Sequence, residues 1–283
     1  TNLTTGQEIN DEESKGLRGK LKFDLSDNFE LALSADWSET KTRGNASTFL
    51  SVPAGSLLFG AVPVDLTGIT PGNYNRNVRL SDAPASTSKQ HSFGARAVLD
   101  LGFADLVSIT SYQKWDYLIT EDVDLLAVSP TTSGFGVIQG GPYASKLFSQ
   151  ELRLVSTGEG PLSYIVGGYY ADTSTKRTFT RTPGASLGFF RANWSSDAGK
   201  KSLAGFAQLD YKLTDTTRFG VGLRVQNEKI DVAYVRTLPT AVTIAEDDSD
   251  TAFTWKATLQ QDLAPDVMAY ALVAKGYKGQ AYD

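Results

Sequence analysis

GLRGKLKFDLSDNFELALSADWS, residues Gly16–Ser38, reads as two alternating runs around a short polar turn. Before the turn, Leu17, Gly19, Leu21, Phe23 and Leu25 share one parity, and Arg18, Lys20, Lys22 and Asp24 share the other. After it, Phe29, Leu31, Leu33, Ala35 and Trp37 oppose Glu30, Ser34 and Asp36. An extended strand sends successive side chains to opposite faces, so each run has one apolar and one charged face. Ser26-Asp27-Asn28 supplies residue types that tolerate turn geometry, so the two runs form a hairpin. A one-residue slip would turn Arg18, Lys20 and Lys22 onto the apolar face, so the register is strongly specified.

The same unit recurs. Further tight turns are expected at Gly102–Asp105, Thr157–Gly160, Thr214–Thr216 and Ala264–Asp266. Into and out of them run Phe93–Leu101, Val107–Tyr117, Leu152–Leu154, Leu203–Leu213, Phe219–Val225 and Phe253–Leu259, each with an apolar and a polar parity. For Val107–Tyr117 the apolar parity is Val107, Ile109, Trp115 and Tyr117, against Ser108, Thr110, Lys114 and Asp116. Leu162–Tyr170 and Val267–Lys275 are apolar on both parities, and their faces stay open. At the other end of each hairpin lie long loops, expected over Glu39–Gln90, Glu121–Ser145, Thr175–Gly199 and Arg236–Thr251. All ten prolines fall in the expected loops or at expected segment starts, as strands that donate every ladder N–H require.

Short turns at one end, long loops at the other and runs near the roughly 9–11 residues that cross a bilayer at a tilt predict an all-β transmembrane antiparallel up-and-down β-barrel. Ordinary soluble strands average about 5–6 residues. A soluble sandwich or jelly roll also alternates and is the competing architecture. Aromatic placement favours the membrane: Trp37, Trp115, Tyr117 and Trp255 are expected as an interfacial girdle at the long-loop ends, with Phe23, Phe29, Phe103, Tyr211 and Phe219 as a second one near the turns. No stretch of the 283 residues approaches the roughly 18 consecutive apolar residues of a membrane helix. The absence of cysteine removes disulfide, thiol and Cys-metal chemistry. A net charge of −5 without a basic cluster argues against nucleic acid as a partner.

Several stretches resemble the TonB-dependent outer-membrane receptors, especially those of sphingomonads and related proteobacteria. FSQELRLVST (Phe148–Thr157) with GPLSYIVGGYY (Gly160–Tyr170) is similar to that family's recurrent hairpin, and VSITSYQKWDY (Val107–Tyr117) to one of its strands. The closing AYALVAKGYKGQAYD and the opening Gly16–Ser38 hairpin resemble two more, in the family's order. The resemblance covers the strands and not the loops. It implies a 22-stranded barrel around a plug, a cell outer-membrane location in a Gram-negative bacterium, a small-molecule substrate, and energy from the TonB–ExbB–ExbD complex acting through the plug. At roughly 28 residues per strand such a barrel needs about 620 residues. The ten strands here are therefore expected to be consecutive middle strands, with plug, TonB box and terminal strands outside this chain.

No catalytic residue, metal or cofactor is expected. The lone histidine, His91, reads as a solvated strand end and cannot by itself build a His/Cys metal site or a Ser-His-Asp triad. Glu246-Asp247-Asp248 with Asp250 lacks EF-hand spacing and reads as a solvated charge run. The glycines of Gly134–Gly140 lie in an expected loop, which does not suit a dinucleotide site. Asn2, Asn45 and Asn193 begin sequons by spelling only. The candidate ligand-binding residues are Tyr143, Arg177, Arg181, Phe189, Phe190, Arg191 and Trp194, with Phe179 among them: arginine pairs with anionic groups and aromatics stack on rings or sugars. The function expected is uptake of a scarce nutrient, whether ferric siderophore, cobalamin-like molecule or carbohydrate. A passive porin without a plug and a soluble surface protein remain the alternatives.

Overall fold

The computed structural model describes residues 1–44, 46–82, 84–131 and 134–281. The sequon at Asn45 and the last two residues of the closing motif lie outside them. Twelve strands follow in order: β1 (Asp11–Ser26), β2 (Phe29–Arg43), β3 (Leu57–Leu58), β4 (Val62–Pro63), β5 (Ala85–Asp100), β6 (Ala104–Asp122), β7 (Val137–Ser156), β8 (Leu162–Pro183), β9 (Ala192–Lys212), β10 (Thr217–Leu238), β11 (Val242–Ala264) and β12 (Val267–Lys275). Ten of them form one sheet in the order β1-β2-β5-β6-β7-β8-β9-β10-β11-β12, and β3-β4 is a small hairpin in the loop between β2 and β5. Every neighbouring pair is antiparallel. This all-β antiparallel up-and-down meander is the expected strand order, with all five tight turns at one end.

Register follows the hydrophobic pattern. Leu17 faces Trp37, Leu21 faces Leu33 and Phe23 faces Leu31. The same apolar face continues through Phe93, Ala95, Ala97 and Leu99 of β5, and through Leu209, Val221 and Ala257 of β9, β10 and β11. The open parities are resolved: Leu162, Tyr164 and Val166 share the apolar face with Tyr211, Leu209 and Ala207. On β12, Ala271 and Val273 lie opposite Leu259 and Ala257, leaving Tyr270 and Leu272 on the polar side.

Three expectations are corrected. The strands run 15–23 residues from β1 to β11 in the large sheet, well beyond a bilayer crossing, and absorb much of the expected loops. The expected Arg236–Thr251 loop is a tight hairpin between β10 and β11. Outside the apolar belt both faces are polar, so no alternation marks the strand. Second, His91 is the seventh residue of β5 rather than its start, and it lies opposite Trp37. Third, β6 presents Leu106, Ser108, Thr110, Tyr112 and Lys114 on the apolar face, because Leu106 pairs with Leu99 and Tyr112 with Phe93. Trp115 and Tyr117 thus lie on the polar face, opposite Gln90 and Ser88.

Most apolar side chains of the sheet are exposed, Leu17 at 74% and Val273 at 62%, so the sheet faces do not form a core. The small core sits at the long-loop end, where Ile69, Val78, Leu80, Leu126, Val137 and Leu187 are buried. Asn2 is sealed there, donating to the Leu80 carbonyl and accepting from its N–H, both at 3.1 Å.

Candidate functional site on the polar face

The polar parity carries charged and polar partners both along and across strands. Near the turns, Lys22 meets Glu30 at 2.9 Å and Arg153 meets Glu151 at 3.0 Å. Farther out, Arg224 donates to Gln226 Oε1 at 2.8 and 2.6 Å, Gln226 donates to Glu228 at 2.7 Å, and Lys200 pairs with Glu228 at 3.0 Å. The Arg224 guanidinium also lies 5.7 Å from the Tyr169 ring. These contacts make a polar track along the strands.

At the long-loop end this track meets an aromatic wall. One rung runs Tyr117, Tyr143, Arg177, Ser196, Tyr234 across β6 to β10. On the neighbouring rungs of the same face lie Trp115 of β6, and Phe179 of β8 opposite Trp194 of β9. Trp115 packs on Tyr143 at 5.0 Å and on Tyr117 at 5.7 Å, and its indole N–H donates to Ser88 Oγ at 2.8 Å. Trp194 stacks on Phe179 at 5.3 Å and leans on Tyr234 at 5.9 Å, with Arg177 5.0 Å over its ring. Arg181 lies 5.5 Å from the Phe179 ring and donates to Gln139 Oε1 at 2.8 Å, while Gln139 donates to Glu121 at 2.9 Å. Among the described residues neither Arg177 nor Arg181 has a carboxylate partner. Two planar cations held over aromatic faces can therefore take anionic or planar ligand groups.

Local sequence explains the placement of Tyr143. Gly140 and Gly141 precede it at φ +148 and +145, and a Cβ there would come within 2.0 Å of the Ile119 carbonyl and 2.2 Å of the Thr178 carbonyl. Only glycine permits that approach.

The structure brings Tyr143, Arg177, Arg181, Phe179 and Trp194 together, on β7, β8 and β9 rather than in the expected loops. It does not bring Phe189, Phe190 and Arg191 there. They sit at the tip between β8 and β9, where Ala185–Phe190 forms a 3-10 helix. There Phe189 packs on Phe190 at 4.4 Å, and Phe190 on Phe59 at 5.8 Å. Trp115 and Tyr117, expected in the girdle, belong to the wall instead. Tyr234 was missed, although it shares a parity with Arg236 and Arg224. Glu246, Asp247 and Asp248 lie on β11, where alternation sends them to opposite faces.

Beyond the wall, Asp122 and Asp124 anchor the loops. Asp122 accepts from Ser81 Oγ at 3.0 Å and from the Asp82 N–H at 3.2 Å. Asp124 accepts from the N–H groups of Leu126, at 2.7 Å, and Val137. Burial pushes both carboxyls up, and for Asp124, with the Asp122 charge adding to it, to about 6.

Residues 23–283 match the family model described as TonB dependent receptor-like, beta-barrel. No curated protein sequence matches the chain. Among solved structures, it is similar to the ferric yersiniabactin uptake receptor FyuA from Yersinia pestis, at 19% identity and a TM-score of 0.75 over 98% of this chain and 40% of that one. It is also similar to the closed form of the ferric-catecholate import receptor Fiu from E. coli K12, at 15% identity and a TM-score of 0.63 over 93% and 43%. A third is the copper transporter OprC, at 12% identity and a TM-score of 0.62 over 96% and 38%. The chain thus spans less than half the length of each of these proteins.

Proposed function

From the chain's membership of the TonB-dependent receptor β-barrel family, we propose that it is a ten-stranded section of an outer-membrane receptor that takes up a scarce small molecule in a Gram-negative bacterium. Its apolar face meets lipid and its polar face lines the lumen. A plug and a TonB box, in the parts of the protein beyond this section, couple it to TonB–ExbB–ExbD. The family match lends no support to a passive porin.

Two aromatic levels support the membrane reading. The rung of Trp37 passes through Lys114 and Lys146 and reaches β11 at Asp247, eight residues and seven strand steps from Trp255. At about 3.4 Å per residue and about 4.8 Å per strand, one membrane height for both tryptophans requires strands tilted by about 40°. Outer-membrane barrels tilt by about 35–45°. On the same slanted line lie Tyr112, Phe148 and Tyr170, which take the girdle positions expected of Trp115 and Tyr117. Phe23, Phe29, Tyr211 and Phe219 supply the level near the turns.

The observation that carries the ligand reading is the wall of Trp115, Tyr143, Arg177, Phe179, Trp194 and Tyr234 at the outer end of the polar face. Its guanidinium groups, which have no carboxylate partner among the described residues, favour an anionic ligand with planar groups, such as a ferric siderophore, over a cobalamin-like molecule or a neutral carbohydrate. The test is tryptophan fluorescence of the full-length protein titrated with a ferric catecholate, ferric citrate, cobalamin and a neutral oligosaccharide. Quenching by an anionic member, weakened in Arg177→Ala, is the expected result. Tight binding of only the neutral sugar, or binding untouched by Arg177→Ala, would overturn the ligand reading. Uptake that survives collapse of the proton gradient would overturn the energised one.

A further inference from the structure

The outermost rung of the wall runs Glu121, Gln139, Arg181, Ala192 across β6 to β9. A carboxylate and a guanidinium share this rung, and a glutamine stands between them. Gln139 Oε1 accepts from Arg181 Nε at 2.8 Å, and Gln139 Nε2 donates to Glu121 Oε2 at 2.9 Å. Only one orientation of the amide serves both, because the reverse would set donor against donor and oxygen against oxygen. Glu121, Gln139 and Arg181 are all half-buried, which limits competition from water for these bonds. Ala192, on the far side of Arg181, has no polar side-chain atom to offer. Gln139 engages Nε alone, and among the described residues Nη1 and Nη2 of Arg181 carry no hydrogen bond. Arg224, on the same face, is held differently: Gln226 Oε1 takes both its Nε and its Nη2, at 2.8 and 2.6 Å. The arrangement at Arg181 leaves the terminal pair of nitrogens open, and that pair matches two adjacent oxyanion atoms of one ligand group.

We infer that Gln139 is a positioning residue for anion recognition: it holds the Arg181 guanidinium beside Phe179, keeps Glu121 from pairing with it, and leaves its two terminal nitrogens to a carboxylate or catecholate oxygen pair of the ligand. Gln139 itself touches no ligand. The inference rests on the ligand reading of the wall given above and deepens it, because it assigns the outermost contact to an oxyanion pair rather than to a ring. The residue type follows from the two bonds. A carboxylate at this position would pair with Arg181 and repel Glu121, and an apolar side chain would release Arg181 toward Glu121. An amide satisfies both neighbours and adds no charge of its own.

The test titrates the full-length protein with ferric citrate and with the ferric catecholate, comparing wild type, Arg181→Ala and the exchange variant Glu121→Gln/Gln139→Glu. The exchange keeps the net charge and still lets an amide at position 121 donate to a carboxylate at position 139. It sets that carboxylate directly against Arg181. Binding of whichever compound quenches the wild-type tryptophans should weaken by roughly tenfold in the exchange variant and in Arg181→Ala alike. The exchange built on Arg181→Ala should cost nothing further, and its folding stability in vesicles should stay near that of Arg181→Ala. If the exchange variant fails to fold, Gln139→Met, which removes both hydrogen bonds at similar volume, should weaken binding by roughly threefold and likewise add nothing on Arg181→Ala. Wild-type affinity in the exchange variant or in Arg181→Ala would overturn the inference. An undiminished loss on the Arg181→Ala background would overturn it too, since that marks a purely structural role. In each of those cases a loss in Arg177→Ala leaves the ligand reading standing. Binding untouched by Arg177→Ala and Arg181→Ala together would overturn the ligand reading itself.

Discussion

The two halves of each long strand are built alike and written differently. Near the turns, β10 reads Phe219, Val221, Leu223, Val225 against Arg218, Gly220, Gly222, Arg224; near the loops it reads Asp231, Ala233, Val235 against Val232, Tyr234, Arg236. Both halves keep continuous pairing with β9 and β11. The ladder alone therefore does not impose alternation. A contrast between the environments of the two faces does: in the proposed function, lipid against lumen in the first half and water against ligand in the second. A sequence pattern reports the solvent on each side of a sheet more directly than it reports the sheet.

The comparison breaks most sharply under charge. Leu33 lies mid-belt on the apolar face, and Leu118 lies on the same face beyond the girdle. Leu33→Arg in the full-length protein should lower folding stability in vesicles by about 2–4 kcal/mol. Leu118→Arg should change it by no more than about 0.5 kcal/mol. Urea titration with a gel-mobility readout measures both. Equal costs would mean that the two halves share one environment, and the membrane boundary drawn through Trp37 would be misplaced.

The tryptophans sharpen it next. Trp194→Ala removes a stack on Phe179 and the seat of Arg177. A ligand group stacked on that ring and on the seated Arg177 gains about 0.5–1.5 and 0.5–1 kcal/mol, so affinity for the quenching ligand should fall by roughly tenfold, with a small loss of barrel stability from the missing wall contacts. Trp37→Ala should do the reverse, lowering stability in vesicles and leaving affinity unchanged. Arg177→Lys keeps the charge and loses the planar stacking surface, so it should fall between wild type and Arg177→Ala. Isothermal titration separates the three.

This division also explains what the sequence made legible. Leu17 through Trp37 could be read residue by residue because a one-residue slip turns Lys20 and Lys22 onto the apolar face. β6 could not. Its parity of Val107, Ile109, Trp115 and Tyr117 is the more apolar, but pairing is decided by neighbours, where Leu99 meets Leu106 and Phe93 meets Tyr112. The polar groups this leaves on the apolar face, Ser108 and Thr110, are satisfied by Gln150, a residue about 40 positions away that no local pattern connects to them. The wall was legible in composition, since Tyr143, Arg177, Phe179 and Trp194 stand out in otherwise polar segments. It was not legible in extent, because Tyr234 and Trp115 join it only through cross-strand register. Phe189 and Phe190 carried the same composition signal and went elsewhere, to a loop-tip contact with Phe59.

The smallest expected effect concerns the loops outside the wall. Asp124 is almost fully buried, and its carboxylate accepts two N–H bonds that favour the anion. Burial and the neighbouring Asp122 outweigh them and push the carboxyl up from 3.8 to about 6. A folded-state value above the unfolded one means that the docked loop binds its proton more tightly than the undocked loop does. Docking is therefore most favoured below about pH 4 and weakens as pH rises through about 6. Asp122, Ser81 and Asp82 are the groups facing this pair, and Asp122 shifts in the same direction. Protection of the Leu126 and Val137 amides against hydrogen exchange, corrected for intrinsic rate, should rise by roughly threefold to tenfold between pH 7.5 and pH 5. Asp124→Asn carries no proton to gain and leaves one of the two N–H groups without its carboxylate oxygen, so its protection should be lower at pH 5 and flat across that window. A wild-type profile equally flat would mean that the two N–H bonds win over burial, and that the loop end, unlike the belt, is insensitive to the cost of burying charge.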